Sequence, residues 1–268
     1  MRGLLLLVLL AVAGSLAAAP RVVSLAPSLT EIVVELQAGD LLVGVLDAGE
    51  RPPALAQVPS VGRYGQIDLE RLLSLKPDLI LLWPASVPPA QRAQLQRLGI
   101  PLYNAEPHDL DSLVAQIASI GERLGRADAA RQHAAELRAR LDELRQRYHR
   151  EQPLRVFYQV WDKPLYTVGG GQIISDALKA CGARNLFDDL KLPAPQVSVE
   201  SVLLRDPQVI VAGAQAQLEA WARWPAVSAV RDRRLLVVPD KGLERPSGQM
   251  IEATAKLCEA LATVPASS

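Results

Sequence analysis

Ile67-Asp-Leu-Glu-Arg-Leu-Leu-Ser-Leu-Lys-Pro-Asp-Leu-Ile80 aligns without a gap to Val197-Ser-Val-Glu-Ser-Val-Leu-Leu-Arg-Asp-Pro-Gln-Val-Ile210, at a constant offset of 130 (67 to 197, 80 to 210). Each copy opens on a residue that accepts from the exposed amides of a first helical turn, Asp68 or Ser198. A proline, Pro77 or Pro207, stops the helix, and the apolar run behind it reads as a buried strand. Glu70 and Glu200 fall in the opening turn, where the helix dipole favours a carboxylate. One helix-break-strand unit present twice implies two similar lobes.

The remaining sequence keeps this texture. Arg21 to Leu25 reads as a short strand, followed by a helix from Leu29 to Leu36 that Ser28 caps and Gly39 closes. Leu42 to Leu46 reads as a strand, Asp68 to Leu75 as a helix and Leu79 to Trp83 as a strand between two prolines. Ala90 to Leu98 is helical and Pro101 to Asn104 extended. Beyond Pro153, strands are expected at Arg155 to Val160, Val209 to Ala212 and Leu235 to Val238, and helices at Ile173 to Cys181 and Gln249 to Leu261. Strands alternating with helices at this spacing make parallel sheets with crossover helices.

Between the halves lies a different pattern. Ala130, Ala134, Leu137, Leu141, Leu144 and Tyr148 recur at steps of four and three, one apolar stripe on a helix from Ala127 to Gln152. At about 26 residues it would run ~39 Å. Two alanines in so short a seam make a weak coiled coil, so it reads as a spine between lobes. The expected architecture is therefore α/β: a first Rossmann-like lobe over 20–124, a connecting helix over 125–153 and a second lobe over 154–268. The cleft between such lobes is a preferred ligand site.

Arg2, the apolar run Leu4 to Val12 and small residues through Ala19 form the pattern of a secretory signal peptide over residues 1–19, cut after Ala17 or Ala19. The segment falls short of the ~20 apolar residues that span a bilayer. Its removal leaves 28 basic against 29 acidic residues, which excludes the basic excess of a nucleic-acid binder. Cys181 and Cys258 are the only cysteines, and an exported chain with one pair usually joins it; two buried free thiols are the other reading. The bridge would be worth about 4.5 kcal/mol in the chain-entropy account.

With aromatics at only 4%, each tryptophan carries weight. Trp83 ends a strand, and strand ends in open parallel sheets border the ligand crevice, although a core position is equally open to it. Trp221 and Trp224 read as packing residues. Gly169-Gly-Gly171 lacks the spacing of a phosphate loop, and no Gly-x-Ser-x-Gly or Walker motif occurs. His133 and His149 are expected on the solvated side of the spine, and His108 stands alone before Asp109. No nucleophile, base and orienter form a set, no metal site is expected, and the chain reads as a non-enzyme.

Four stretches carry a resemblance: Arg21-Val-Val-Ser-Leu-Ala-Pro-Ser-Leu-Thr-Glu31, Leu69-Glu-Arg-Leu-Leu-Ser-Leu-Lys-Pro-Asp-Leu79, Pro193-Ala-Pro-Gln-Val-Ser-Val-Glu200 and Leu243-Glu-Arg245. In these the chain resembles the periplasmic cobalamin-binding proteins of vitamin B12 ABC importers, of the helical-backbone (class III) solute-binding proteins. The resemblance implies a monomeric periplasmic carrier that holds cobalamin as transported ligand, not as cofactor, and delivers it to a membrane permease dimer with its ATPase subunits. Siderophore and haem binders share the scaffold and are the alternative, with an exported hydrolase or chelatase as the rival of another class. By position, the resemblance assigns ligand contacts to Tyr64, Trp83 and the loop Lys241, Gly242, Leu243, Glu244 and Arg245, with Trp161 as an addition. It assigns permease docking to Glu70 and Glu200. Ala48, Ala194 and Lys241-Gly-Leu243 stand where family members carry aromatics. Ion pairing of Arg245 with Glu244 or Glu252 is the local alternative to a ligand contact.

Overall fold

The computed structural model describes residues 19–47, 51 and 53–265. All but the last residue of the expected signal peptide, and Ala48, lie outside the described residues.

In the first half, β1 (Val22–Ser24), α1 (Pro27–Glu35), β2 (Leu42–Asp47), β3 (Ser60–Arg63), β4 (Gln66–Ile67), α2 (Leu69–Ser74), β5 (Leu79–Leu82), α3 (Pro89–Arg97) and β6 (Leu102–Asn104) follow in order. Their sheet runs β4-β3-β2-β1-β5-β6, parallel apart from the β3–β4 hairpin. Two helices, α4 (Leu110–Arg123) and α5 (Ala127–Arg147), come next. The second half holds β7 (Leu154–Asp162), β8 (Leu165–Thr167), α6 (Ile173–Ala180), β9 (Ala183–Asn185), α7 (Val199–Arg205), β10 (Val209–Ala212), α8 (Gln215–Glu219), α9 (Ser228–Arg231), β11 (Leu235–Val237) and α10 (Gln249–Ala262). Its sheet runs β11-β10-β7-β8, and β9 joins the first part of β7.

The repeat persists in atomic detail. Asp68 accepts from the Arg71 amide at 2.9 Å, and Ser198 from the Ser201 amide at 3.1 Å. Before each proline the backbone turns left-handed, at Lys76 (φ 46°) and Asp206 (φ 44°), which ends the helix ahead of a ring that disfavours the right-handed helical region for its predecessor. Beyond the prolines, Asp78 accepts from the Arg21 amide and Gln208 from the Arg155 amide, at 2.8 and 2.9 Å, so each repeat is pinned to the first strand of its own lobe. The β5 and β10 strands are buried along their full length, as apolar runs between helical layers must be.

Two expectations need correction. Ser28 is not a cap: Pro27 and Ser28 already lie in the first turn of α1, Ala26 occupies the cap position, and no side chain closes that end. The spine helix is shorter than expected, 21 residues and about 32 Å. It ends at Arg147 because tertiary contacts pull the next residues off its axis. The Tyr148 carbonyl lies so close to Gly182 that a Cβ there would approach it to 2.2 Å, and the Arg150 guanidinium donates to the carbonyls of Leu261 and Val264 at 3.0 and 3.1 Å. His149 is therefore off the helix.

Against α5 lies α4, an antiparallel neighbour that the sequence reading passes over. Asp109 and Ser112 cap it reciprocally, with the Ser112 amide donating to Asp109 Oδ1 at 2.6 Å and the Asp109 amide to Ser112 Oγ at 3.1 Å. At the second-lobe end, the Leu110 amide donates to Asp176 and Arg145 pairs with Asp111 at 2.6 Å. At the first-lobe end, Arg126 reaches Asp40 and the helices touch through Gly121 and Ala130. One core runs through this pair: buried Leu29 and Ile32 of α1 with Leu36 just after it, Leu113, Ile117 and Ile120 of α4, and Leu257 and Leu261 of α10 belong to a single apolar cluster. Each lobe adds a smaller cluster on its far side.

Cys181 and Cys258 form a disulfide across α6 and α10, with their Cα atoms 4.5 Å apart and both side chains buried.

Candidate functional site

Parallel strands place their following loops on the carboxyl edge of a sheet, and in open α/β folds that edge is where ligands bind. Here Tyr64 and Trp83 lie at that edge of the first sheet, and the segment 241–249 follows β11 of the second. The Ala26-Pro27 turn leaving β1 leads directly into α1, whose Glu31 and Glu35 bond the segment that follows β11.

On the first-lobe edge the structure brings Tyr64 and Trp83 together. Tyr64 sits in the β3–β4 turn and Trp83 directly after β5, with ring centroids 6.2 Å apart and planes tilted by 48°. The Gly65 amide donates to the Ser86 carbonyl at 3.0 Å, which fixes one turn against the other. Tyr64 is 58% exposed, whereas Trp83 is half-buried against the core, which supports its packing role and leaves part of the ring open to solvent. An aromatic pair at a strand edge, one ring exposed and the other half-buried, suits a large, flat, apolar ligand surface.

Across the boundary, Trp161 near the end of β7 is also 58% exposed but makes no ring contact among the described residues. The loop Lys241 to Arg245 is a short 3-10 turn. Asp240 caps it by accepting from the Gly242 amide at 2.8 Å and also pairs with Lys256. These donors, the lysine first, hold the Asp240 carboxyl below its ordinary range. Leu243, expected to contact the ligand, is 1% exposed: its side chain anchors the loop in the core. Gly242 is buried as well, with Asp240 and Ala253 too near for a comfortable side chain. The side chains the loop leaves outside are those of Lys241, Glu244 and Arg245.

Glu244 accepts from the Tyr158 hydroxyl at 3.4 Å. Burial, with the Glu244 charge beside it, pushes the Tyr158 phenol well above its ordinary value, so it remains a donor at every physiological pH. Arg245 pairs with neither Glu244 nor Glu252. Its Nη1 donates to Glu31 Oε1 at 2.7 Å, in the other lobe, while Glu252 takes Arg140 at 3.0 Å. Sequence reasoning missed Glu31 and Glu35, which are 214 and 213 residues from their partners and carry no local signal.

Glu70 and Glu200 are exposed in the first turns of α2 and α7. The Glu200 backbone amide and the Ser198 hydroxyl hold the Glu200 carboxyl below its ordinary value. Leu204, one turn further along α7, is 88% exposed, and Ser74 is its counterpart on α2. Ala194 is exposed. Trp221 is core: its indole Nε1 donates to the buried Gln159 at 2.7 Å, and Trp224 packs on it. His133, expected in solvent, has its Nε2 buried 3.7 Å from Glu35.

This architecture has known counterparts. A vitamin B12-binding protein of Vibrio cholerae is 36% identical over 243 residues, 90% of this chain and 88% of that protein. The crystal structure of the periplasmic vitamin B12 binding protein BtuF of Vibrio cholerae superposes with a TM-score of 0.83 at 35% identity, covering 92% of this chain and 98% of that one. The periplasmic haem binding protein HutB of the same organism gives a TM-score of 0.78 at 20% identity over 91% and 99% of the two chains, a likeness of fold alone. Residues 22–241, which take in both sheets, the α4–α5 pair and the repeat, match the periplasmic binding protein family, and the chain belongs to it.

Proposed function

We propose that this chain is a periplasmic carrier that captures cobalamin between its lobes and hands it to a membrane ABC permease. The observation that carries the reading is the gradient of likeness: 35–36% identity along nearly the whole chain to vitamin B12-binding proteins, against 20% to a haem binder of the same fold. The corrin macrocycle is broad, flat and largely apolar, with amide arms at its rim. Tyr64, Trp83 and Trp161 supply aromatic surface for the ring, and Lys241, Glu244 and Arg245 supply donors and acceptors for amide or phosphate groups. Cobalamin is cargo in this reading, and the chain acts as a monomer without catalysis. Export through the N-terminal segment would bring it to its ligand.

Delivery needs a docking face. One exposed acid in equivalent turns of each lobe, Glu70 and Glu200, matches a partner with two-fold symmetry and paired arginines. Single exposed pairs contribute only ~0.2–1 kcal/mol, so burial at the interface must supply the rest.

Tryptophan fluorescence titrated with cyanocobalamin, haemin and ferric siderophores tests the ligand. Saturable quenching by cyanocobalamin at micromolar concentration or below is expected. Quenching by haemin or a siderophore alone would refute the corrinoid reading in favour of a sister specificity.

A further inference from the structure

Five hydrogen bonds cross from α1 of the first lobe to residues 245–249 of the second. Glu31 accepts from Arg245 Nη1 at 2.7 Å, from Ser247 Oγ at 3.1 Å and from Gln249 Nε2 at 2.6 Å. Glu35, one turn later, accepts from the backbone amides of Gly248 at 2.9 Å and Gln249 at 3.3 Å. The N-terminus of α10 is thus capped by a carboxylate from the opposite lobe. Gly248 makes the approach possible, since a Cβ there would stand 2.7 Å from Glu35 Oε2 and 2.9 Å from His133 Nε2.

We propose that Glu31 and Glu35 are positioning residues for ligand binding, clasping the loop Lys241 to Arg245 so that its exposed side chains meet the Tyr64–Trp83 edge at a fixed spacing. The inference rests on reading that loop as a ligand contact. Within its own lobe the loop is held by Leu243 in the core, by the Asp240 cap and by the Tyr158–Glu244 bond, and the clasp at its exit is what ties it to the other lobe. Without the clasp, Arg245 and the first turn of α10 lose their bonds to the first lobe, and the loop keeps only the contacts within its own lobe. Burial raises the Glu35 carboxyl above its ordinary value, opposed by the two backbone bonds and by His133.

Hydrogen exchange of the ligand-free protein and stopped-flow dissociation of cyanocobalamin, run on Glu31→Gln, Glu35→Gln, Glu35→Ala and Gly248→Ala, test this. Faster exchange over residues 238–250 is expected in all four, with cyanocobalamin leaving about tenfold faster from Glu31→Gln, the loss of a charge-assisted bond. Glu35→Gln keeps an acceptor and should retain more of the slow dissociation than Glu35→Ala. Arg205→Ala, which removes the outer pair with Asp189, serves as a stability control and should leave dissociation unchanged. Unaltered exchange in the loop overturns the clasp whatever the ligand. Faster exchange with unaltered dissociation overturns the positioning role. A wild-type protein that fails to bind cyanocobalamin refutes the corrinoid reading, and the exchange data still decide the clasp.

Discussion

Substituting Gly121 by alanine should loosen the seam between the helices that join the lobes. A Cβ at position 121 would stand 2.0 Å from the Ala130 Cβ and 3.4 Å from Leu36 Cδ1. Both Cβ positions are set by backbone, so no rotamer relieves the contact. Methyl carbons pack at about 3.5–4.0 Å, so α4 and α5 must part by about 1.5–2 Å. Overpacking of this kind costs about 1–3 kcal/mol, here towards the upper end, and replacing a helical glycine returns about 1 kcal/mol. The net expectation is about 2 kcal/mol of destabilisation, a fall in Tm of about 4–8 °C at this size. Thermal unfolding followed by far-UV circular dichroism reads it directly. Adding Ala130→Gly removes the clash while keeping one glycine in the pair, and should restore Tm to near wild type. A single variant melting at or above wild type, or a double variant as weak as the single, would show that the helices do not meet as described.

Replacing Cys181 and Cys258 together by alanine should cost up to about 4.5 kcal/mol, given the 77-residue separation, and lower the urea midpoint accordingly; a loss below about 1 kcal/mol contradicts that account. The hydrogen bond from Arg145 holds the Asp111 carboxyl below its ordinary 3.8. The pair's small contribution is therefore present above that pH and lost as pH falls through the depressed value, so acid melting curves of Asp111→Asn should be flatter than wild type. Small-angle scattering with and without cyanocobalamin should superimpose, because a helix pair and a shared core resist hinge closure; a clear contraction refutes this. Glu70→Ala and Glu200→Ala should leave cyanocobalamin affinity unchanged and lower uptake into vesicles bearing the permease, with the double charge reversal worse than either. Loss of affinity instead would move both acids into the pocket.

What could be read beforehand follows from how local each signal is. The repeat, its caps and its proline breaks are encoded within fourteen consecutive residues, and the structure keeps them to the left-handed turn. Helix α4 was equally legible: Leu110, Leu113, Val114, Ile117 and Ile120 keep helical spacing behind the Asp109–Ser112 cap, a pattern as regular as that of α5. The end of the spine was not, because contacts with Gly182 and the last helix override a sequence able to continue to Pro153. At the candidate site, Tyr64 and Trp83 were named by resemblance as ligand contacts, while their contact with each other depends on the fold, and a leucine in a polar loop was itself a sign that Leu243 would be an anchor. The clasp rests on pairs more than two hundred residues apart, and only the fold brings them together.

The single core that runs through α1, α4, α5, α6 and α10 makes the protein one piece in heredity as well as in mechanics. Two lobes with similar sheets invite the expectation that a gene half from a sister carrier could be spliced in to change specificity. A crossover near residue 125 would instead join two interiors that never packed together, along a seam with no room for a Cβ at Gly121. Exchange should succeed only for segments that ride on the frame, such as the β3–β4 turn or the loop after β11. A change of cargo should then be sought at the rims, residue by residue, with the frame kept whole.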